Sequence, residues 1–247
     1  MHSILAEQDK LVVSKALDTI YLSEKRHCAC FYGFLNEHEA QVIKNNIHLT
    51  DECEFWGGYD TAKRVFFGVK SDGPDSYPFV CAKITYKKEY ELAHKDFLGA
   101  FMSLGIERST IGDILVYEGY ALSFIKNEVF DYISNELTKI GRVGVNVSKY
   151  EGDRIIHDEM FDQLSFTISS SRLDVFVSAL CRISREKAQS VIKSDLVAVN
   201  YNIENSVSKT IRVGDIITIR KYGKFVFAEE VGYSKKGRAR VLVNHFR

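Results

Sequence analysis

The clearest periodic pattern of apolar residues in the chain lies between residues 171 and 193. Apolar side chains recur there at i, i+3, i+4 and i+7, which places them on one face of a helix: Leu173, Phe176, Val177 and Leu180. Ser171 and Asp174 have the spacing of a capping box, because a hydroxyl and a carboxylate three residues apart can satisfy the free N–H groups of a first turn. The sequence therefore predicts a helix that begins at Arg172.

A second helix and a small sheet are predicted directly after the first helix. Ser184 is placed to cap the second helix, whose apolar positions form one stripe: Ala188, Val191 and Ile192. Segments rich in β-branched or aromatic residues follow, separated by Asn or Gly: 196–200, 214–220, 224–229 and 239–244. We thus expect residues 166–247 to fold as two helices followed by a sheet.

The middle of the chain alternates between strand and helix patterns. The strand patterns cover 77–86, 113–118, 120–126 and 143–147, and the helix patterns cover 94–104 and 127–140. This β-α-β-β-α-β order is typical of ferredoxin-like domains and is shared by RNA-recognition motif domains. The face packed on the helices is predicted to carry Ile114, Val116, Leu122, Phe124, Val145 and Val147. No Lys/Arg-Gly-aromatic run is found, so the sequence does not favour base stacking by this sheet.

The first part of the chain predicts a helical start followed by a β-hairpin. Asn36 is placed to cap a helix through Ile43, and strand patterns cover 53–59 and 64–70. The aromatic residues of this hairpin allow two interpretations, a surface on which bases stack or an ordinary core, and the core is favoured: Trp56, Tyr59, Phe66 and Phe67.

The Gly- and Pro-containing segment 71–76 predicts a linker after this first part. We therefore predict the α+β fold class with three small domains. They are an N-terminal α/β-hairpin domain (1–73), a ferredoxin-like, RNA-recognition-motif-like βαββαβ domain (74–165) and a C-terminal domain of two helices and a small sheet (166–247).

Charge is distributed unevenly along a chain that is neutral overall. Residues 166–247 contain 15 Lys and Arg against 7 Asp and Glu, so the net charge of this third is about +8 and that of the remainder about −8. A compact basic domain is what attraction to the phosphates of structured RNA requires.

Composition excludes several other classes of protein. With 45% hydrophobic residues the 247-residue chain can bury cores, and it has no run of the roughly 18 apolar residues that a membrane span needs. The N-terminus lacks a secretory signal pattern, so we expect a cytoplasmic protein. Five irregularly spaced cysteines do not indicate a disulfide framework, and Cys28, Cys30 and Cys53 lack the paired Cys-x-x-Cys arms of common zinc sites. We expect no metal and no cofactor.

Several spaced motifs in the C-terminal third resemble the S-four RNA-binding domain, named after ribosomal small-subunit protein four. They are Arg172-Leu-Asp174, then Ser184-Arg185 with Ala188, then the run from Ile192 to Asn200, and then Gly214-Asp215. Together with the Phe-Trp-Gly-Gly-Tyr run from Phe55 to Tyr59, the whole chain resembles the bacterial YlmH family, although it has Lys63 where the family has Glu. The resemblance implies a cytoplasmic RNA-binding protein encoded near division genes. It also implies association with the large ribosomal subunit and tRNA in rescue of stalled translation.

The candidate RNA-binding residues are the cations on the helix pair and on the turns beside it: Arg172, Arg182, Arg185, Lys187, Lys193, Lys224, Lys235, Lys236 and Arg238. Asp174 is interpreted as a group that orients an arginine or caps its helix. We expect a non-catalytic monomer whose partner is structured rRNA or tRNA, with no membrane and no small-molecule substrate.

Two alternatives to this function stay open. Pseudouridine synthases also carry S-four domains, so the chain could be an RNA-modifying enzyme anchored by the same module. Its one Arg-Leu-Asp run is, however, the predicted helix start at Arg172, and the rest of the chain is short for such a catalytic domain. The second alternative is an adaptor protein in cell division.

Overall fold

A computed structural model describes residues 6–157, 161–234 and 237–246. These residues form two compact units, one up to residue 157 and one from residue 161 onward. The fold is mixed α/β, with antiparallel pairing between the strands. Among the described residues, no helix combines the length and apolar character needed to span a bilayer.

The first unit contains four α-helices and nine strands within its described residues. The helices are α1 (Glu7–Arg26), α2 (Glu37–Asn46), α3 (His94–Ser103) and α4 (Asn127–Glu136). The strands are β1 (Cys30–Leu35), β2 (Cys53–Trp56), β3 (Val65–Val69), β4 (Phe79–Thr85), β5 (Ile111–Tyr117), β6 (Tyr120–Lys126), β7 (Lys139–Ile140), β8 (Val143–Gly144) and β9 (Asn146–Lys149).

The N-terminal part of this unit is a three-stranded sheet of order β1-β3-β2 covered by α1 and α2. The predicted cap of α2 is confirmed as a full capping box, since the Asn36 side chain accepts from the Glu39 N–H at 2.9 Å and Glu39 accepts from the Asn36 N–H at 2.7 Å. The hairpin of β2 and β3 is also present. Strand β1 was not predicted, because its residues show no alternation of apolar and polar positions.

The predicted β-α-β-β-α-β order is present between residues 79 and 149, in a sheet of order β5-β6-β4-β9 with α3 and α4 on one face. Helix α4 ends at Glu136, earlier than the predicted 140. The chain then forms the short β7–β8 hairpin, in which Gly141 takes a left-handed conformation with φ of 58°. Residues 143–147 are therefore divided between β8 and β9 and do not form one strand.

The prediction for the helix-packed face of this sheet is wrong at two positions. Leu115 pairs with Leu122 and Val116 with Ala121, so Leu122 lies on the face opposite Val116. Leu122 and Phe124 pack in a second core, away from α3 and α4. The helix-side core contains Ile114 and Ile125 among its buried members.

This second core joins the N-terminal part of the unit to the middle sheet. Its buried members come from both sides of the predicted boundary at residue 73: Phe34, Tyr59 and Phe66 before it, and Tyr77, Leu115, Leu122 and Phe124 after it. The Tyr59 ring stacks on Phe124 with centroids 5.4 Å apart, and Phe66 stacks on Phe79 at 5.6 Å. A continuous aromatic core thus covers much of the sheet face that points away from the helices.

A polar group, the Asp113 cluster, reinforces this joint and consists of Asp113, Tyr59, Lys63 and Arg64. One carboxylate oxygen of Asp113 accepts from the Tyr59 hydroxyl at 2.9 Å and from the backbone N–H groups of Lys63 at 2.7 Å and Arg64 at 3.3 Å. The Arg64 guanidinium donates to the carbonyls of Ile111, Phe34 and Arg108. Burial, together with nearby Arg108, lowers the pKa of Arg64 to about 10.

The second unit contains two α-helices and six strands within its described residues. The helices are α5 (Leu173–Cys181) and α6 (Arg185–Lys193). The strands are β10 (Phe161–Ile168), β11 (Val197–Val199), β12 (Asn202–Ile203), β13 (Ile216–Ile219), β14 (Gly223–Tyr233) and β15 (Ala239–Phe246), in the order β10-β15-β14-β13-β11-β12. Strand β10 pairs with β15 along its whole length, so residues 161–165, which the predicted bounds placed in the middle domain, belong to this sheet.

Candidate nucleic-acid interface

The two helices of the second unit pack through the apolar stripes that the sequence predicted. Leu173, Phe176, Val177 and Ile192 are fully or almost fully buried, in one core with the sheet strands. The predicted cap of α6 is confirmed, since the Ser184 hydroxyl accepts from the Lys187 N–H at 3.3 Å. Helix α5 ends at Cys181, and the next residue, Arg182, caps it in a left-handed conformation with φ of 54°. The helix pair is thus a fixed support for the side chains on its surface.

The predicted capping box at the start of α5 is wrong. Helix α5 begins at Leu173, and no side chain caps it. The backbone N–H groups of Leu173 and Asp174 donate instead to the carbonyls of Lys209 at 2.8 Å and Val207 at 3.1 Å. Because a distant segment satisfies these first-turn donors, the Asp174 carboxylate is available for side-chain partners.

Asp174 and three side chains form the Asp174 cluster, which comprises Asp174, Arg172, Arg185 and Gln189. Arg172 donates from Nε and Nη2 to the two carboxylate oxygens at 3.0 and 3.1 Å, and Arg185 donates from the same two atoms at 2.9 and 3.4 Å. Gln189 adds a bond of 3.0 Å. The carboxylate has no exposed surface, whereas the Arg172 and Arg185 side chains are 37% and 51% exposed. Asp174 therefore holds the inner edges of two guanidinium groups whose other edges face solvent.

The electrostatics of the cluster keep Asp174 ionised. Burial alone would raise the pKa of Asp174, but hydrogen bonds from Arg172, Arg185 and Gln189 and the charge of Arg185 hold that pKa well below its usual range. Two cations against one anion leave a net positive charge. A guanidinium has five N–H donors, and two on each arginine are used on Asp174, so the remaining donors can contact phosphate oxygens. A carboxylate enclosed in this way is poorly placed to act as a nucleophile.

The other cations predicted on the helix pair do not all share the face of this cluster. Arg182, Lys187 and Lys193 are exposed. Arg185, Gln189 and Lys193 follow one another at i, i+4 and i+8, so Lys193 continues the face that holds Asp174. Lys187, two residues after Arg185, points to a different face of α6. The structure thus brings Arg172 and Arg185 together at Asp174, with Lys193 about two turns further along α6 and Lys187 on another face.

The predicted cations on the sheet do not form a single group with the cations of the helix pair. Lys224 is half-buried, and its ammonium lies 5.6 Å from the Tyr201 ring and 5.5 Å from the Phe246 ring. Arg238 lies beyond the opposite end of the β14–β15 pair, where Tyr233 pairs with Ala239. The strand between the two ends spans about 30 Å at the usual rise per residue. Lys235 and Lys236 lie outside the described residues.

Two contributors to the site were missed from the sequence. Gln189 completes the hydrogen bonds to Asp174, and its i+4 spacing from Arg185 was a signal that could have found it. Lys209 is exposed next to the start of α5, where its carbonyl accepts from Leu173, and its ammonium lies 3.7 Å from Glu204. No sequence pattern links Lys209 to α5, because the contact depends on the tertiary fold.

The aromatic residues of the predicted hairpin pack in the cores of the first unit, which is the interpretation that the sequence favoured. Tyr59, Phe66 and Phe67 are at most 3% exposed, whereas Trp56 is half-buried. Among the described residues, no group of three or more His, Cys, Asp or Glu side chains is arranged to hold a metal ion.

Comparisons with known proteins agree with the division into two units. Residues 74–154 match the family model "Putative RNA-binding domain in YlmH", and residues 171–217 match the model "S4 domain". The second match contains the whole Asp174 cluster and both helices. Two segments of RNA-binding type are thus present in one chain.

Two known proteins are similar in sequence to this chain. The chain is 25% identical over 242 residues to "Ribosome-associated protein quality control protein P2" of Bacillus subtilis (strain 168), a match that covers 95% of this chain and 94% of that protein. A solved structure, "Cell division protein ylmH from Streptococcus pneumoniae", aligns with a TM-score of 0.49 and 25% identity over 61% of this chain and 95% of that one. Both domain models and the Bacillus relative therefore support a place in the YlmH family, with an S-four domain in residues 171–217.

Proposed function

We propose that this protein binds structured rRNA or tRNA on the large ribosomal subunit through the helix pair of its second unit. The observation that carries the proposal is the Asp174 cluster, in which a buried carboxylate fixes two partly exposed arginines. Arginines fixed in this way recognise phosphate without first losing side-chain entropy, and their planar donor edges suit bidentate contacts. The role is that of a non-catalytic binding protein in the cytoplasm.

The biological setting that we propose is the rescue of stalled translation. The relative that aligns along almost the whole chain is named a ribosome-associated quality control protein, which supports this setting. The concentration of positive charge in residues 166–247 supports an RNA partner independently of that name.

Ribosome co-sedimentation through a density gradient at two salt concentrations tests the proposal. The intact chain is compared with the triple variant Arg172→Gln/Arg185→Gln/Lys193→Gln, in which an amide at positions 172 and 185 can still donate to Asp174 and so support folding. A charge-matched control replaces three exposed lysines of the first unit, Lys10, Lys95 and Lys139, by glutamine.

We expect the intact protein and the control to travel with the large subunit at low salt, and the triple variant to remain at the top of the gradient. Raising the salt should release the intact protein, because counterion release drives the contact. Equal sedimentation of the triple variant and the intact protein at both salt concentrations would refute the proposed interface.

A further inference from the structure

A cavity of about 620 Å³ lies in the first unit, at the joint between its N-terminal part and the middle sheet. Its lining comprises Trp56, Gly58, Pro74, Phe79, Cys81, Phe124, Arg154 and Ile155. Its volume is within the usual range of small-ligand sites, and three of its eight lining residues are aromatic. The cavity is remote in sequence from the Asp174 cluster and belongs to the segment up to residue 157.

The floor of the cavity is the centre of the middle sheet. Strands β4 and β6 are the two inner strands of that sheet, and Cys81 on β4 pairs directly with Phe124 on β6. These side chains lie on the face opposite α3 and α4. In four-stranded sheets of this topology, aromatic side chains on the inner strands stack unpaired RNA bases. The Tyr59–Phe124 stack covers part of this face, and the cavity leaves another part open, at half-buried Phe79.

The rim of the cavity carries an exposed, planar cation, the Arg154 guanidinium. The Arg154 Nη2 donates to both carboxylate oxygens of Asp60, at 2.7 and 2.8 Å. Three residues further on, the carbonyl of His157 accepts from the Thr61 hydroxyl at 2.8 Å, which ties this segment to the N-terminal part. Arg154 is 71% exposed, and its Nε and Nη1 donors have no partner among the described residues. A guanidinium in this setting can stack on a base or donate to its edge.

The interior of the cavity is uncharged. Burial raises the pKa of the Cys81 thiol to about 12, so this group is neutral at physiological pH. Phe79, Phe124 and Ile155 are apolar. A flat, weakly polar group suits such walls, whereas a bare phosphate would lose its hydration there without compensation.

We propose that this cavity takes one unstacked base of a single-stranded RNA, against the half-buried rings of Trp56 and Phe79 and beside the Arg154 guanidinium. The proposal rests on the proposed RNA-binding function, and it adds a second contact of a different chemical kind. The helix pair would contact phosphates, and the cavity would bind a base.

The fluorescence of Trp56 reports directly on the cavity, because the chain contains a single tryptophan. We would titrate the full chain with short single-stranded RNA homopolymers of each base, and with an abasic oligomer of the same length and charge. A base in the cavity should quench Trp56, and the abasic oligomer should not. Losing the stacking of one base should weaken RNA binding about tenfold.

Two variants and a matched control make the test specific. Arg154→Ala removes the rim cation and Ile155→Phe fills the cavity, and each should reduce base-dependent quenching and weaken binding of the base-bearing RNA about tenfold. Arg142→Ala, at an exposed position on the β7–β8 turn, removes the same charge elsewhere in the unit and should leave both unchanged.

The proposal is overturned if no RNA quenches Trp56, the result expected when the cavity takes an apolar side chain of a protein partner. It is also overturned if abasic and base-bearing oligomers behave alike, or if Arg142→Ala acts as strongly as Arg154→Ala. The triple variant at Arg172, Arg185 and Lys193 separates the two proposals. If the helix-pair proposal alone fails, that variant keeps full RNA affinity and base-dependent quenching; if the cavity proposal alone fails, it loses affinity and no RNA quenches Trp56.

Discussion

In the first unit Asp113 accepts hydrogen bonds from a hydroxyl and two backbone N–H groups, whereas in the second unit Asp174 accepts them from two guanidinium groups and an amide. The donors of Asp113 belong to a chain segment that must be held against the middle sheet. The donors of Asp174 are ends of long side chains that also reach solvent. A carboxylate bonded to backbone fixes the fold, and one bonded to arginines fixes a charged surface.

The largest effect should come from breaking the Asp113 cluster. Asp113→Ala removes the carboxylate oxygen that accepts from two backbone N–H groups and from the buried Tyr59 hydroxyl, which should lower the free energy of unfolding of the first unit by about 3 kcal/mol. Thermal unfolding followed by Trp56 fluorescence measures this loss, since Trp56 lies in the same unit. Asp131→Ala, at an exposed position on α4, should change the stability by less than about 0.5 kcal/mol. Equal effects of the two variants would mean that Asp113 does not hold the joint.

Asp174→Asn should destabilise the second unit less, by about 2 kcal/mol at neutral pH, because the two arginines it releases can still be hydrated. Hydrogen exchange of residues 173–193 measures the loss. The folded-state pKa of Asp174 is held below its usual value, so the advantage of the native protein is complete above the unfolded-state pKa of about 4 and declines as the pH falls below it. An advantage that persisted unchanged in strong acid would argue against a charged carboxylate.

Replacing both arginines of the Asp174 cluster by lysine keeps their positive charge and removes their planar set of donors. Arg172→Lys/Arg185→Lys should weaken RNA binding about tenfold, because an ammonium cannot bond Asp174 through one planar edge and offer a second edge to phosphate. Filter binding at fixed salt measures the affinity, and Lys193→Arg serves as the reverse exchange on the same helix face. Unchanged affinity of the double lysine variant would show that charge alone matters.

The smallest effect that we expect is a difference in the salt dependence of RNA binding between variants of two exposed lysines of α6. Lys193 continues the face of Arg185 and Gln189, so Lys193→Gln should reduce the slope of log K against log salt by about 0.7–0.9, the value for one phosphate contact. Lys187→Gln should change this slope less, since Lys187 lies on another face. Salt titrations of both variants in parallel provide the comparison, and the reverse order would move the RNA to the Lys187 face.

Local patterns predicted the helices and the element order of the two RNA-binding segments well. The spacing of Leu173, Phe176 and Val177 identified α5, and single residues identified two caps, Asn36 and Ser184. These features depend on interactions within a few residues, which a sequence displays directly.

Features that depend on distant contacts could not be predicted in the same way. The predicted capping box of α5 is wrong because the backbone carbonyls of Val207 and Lys209 accept the hydrogen bonds of its first turn. Leu122 and Phe124 were assigned to the wrong face because the register of β5 with β6 was unknown. Lys224 and Arg238 were grouped with the helix pair, although they lie at opposite ends of one strand pair. The sequence identified the candidate cations. Only the folded structure shows that two of them, Arg172 and Arg185, bond to Asp174.

A double-mutant cycle in RNA affinity tests most directly whether Asp174 acts by positioning its two arginines. Asp174→Asn is measured in the native background and in the Arg172→Gln/Arg185→Gln background. We predict that Asp174→Asn weakens RNA binding several-fold in the native background and has no effect once both arginines are replaced. The same loss in both backgrounds would contradict the account, because Asp174 would then act on RNA binding without its arginines.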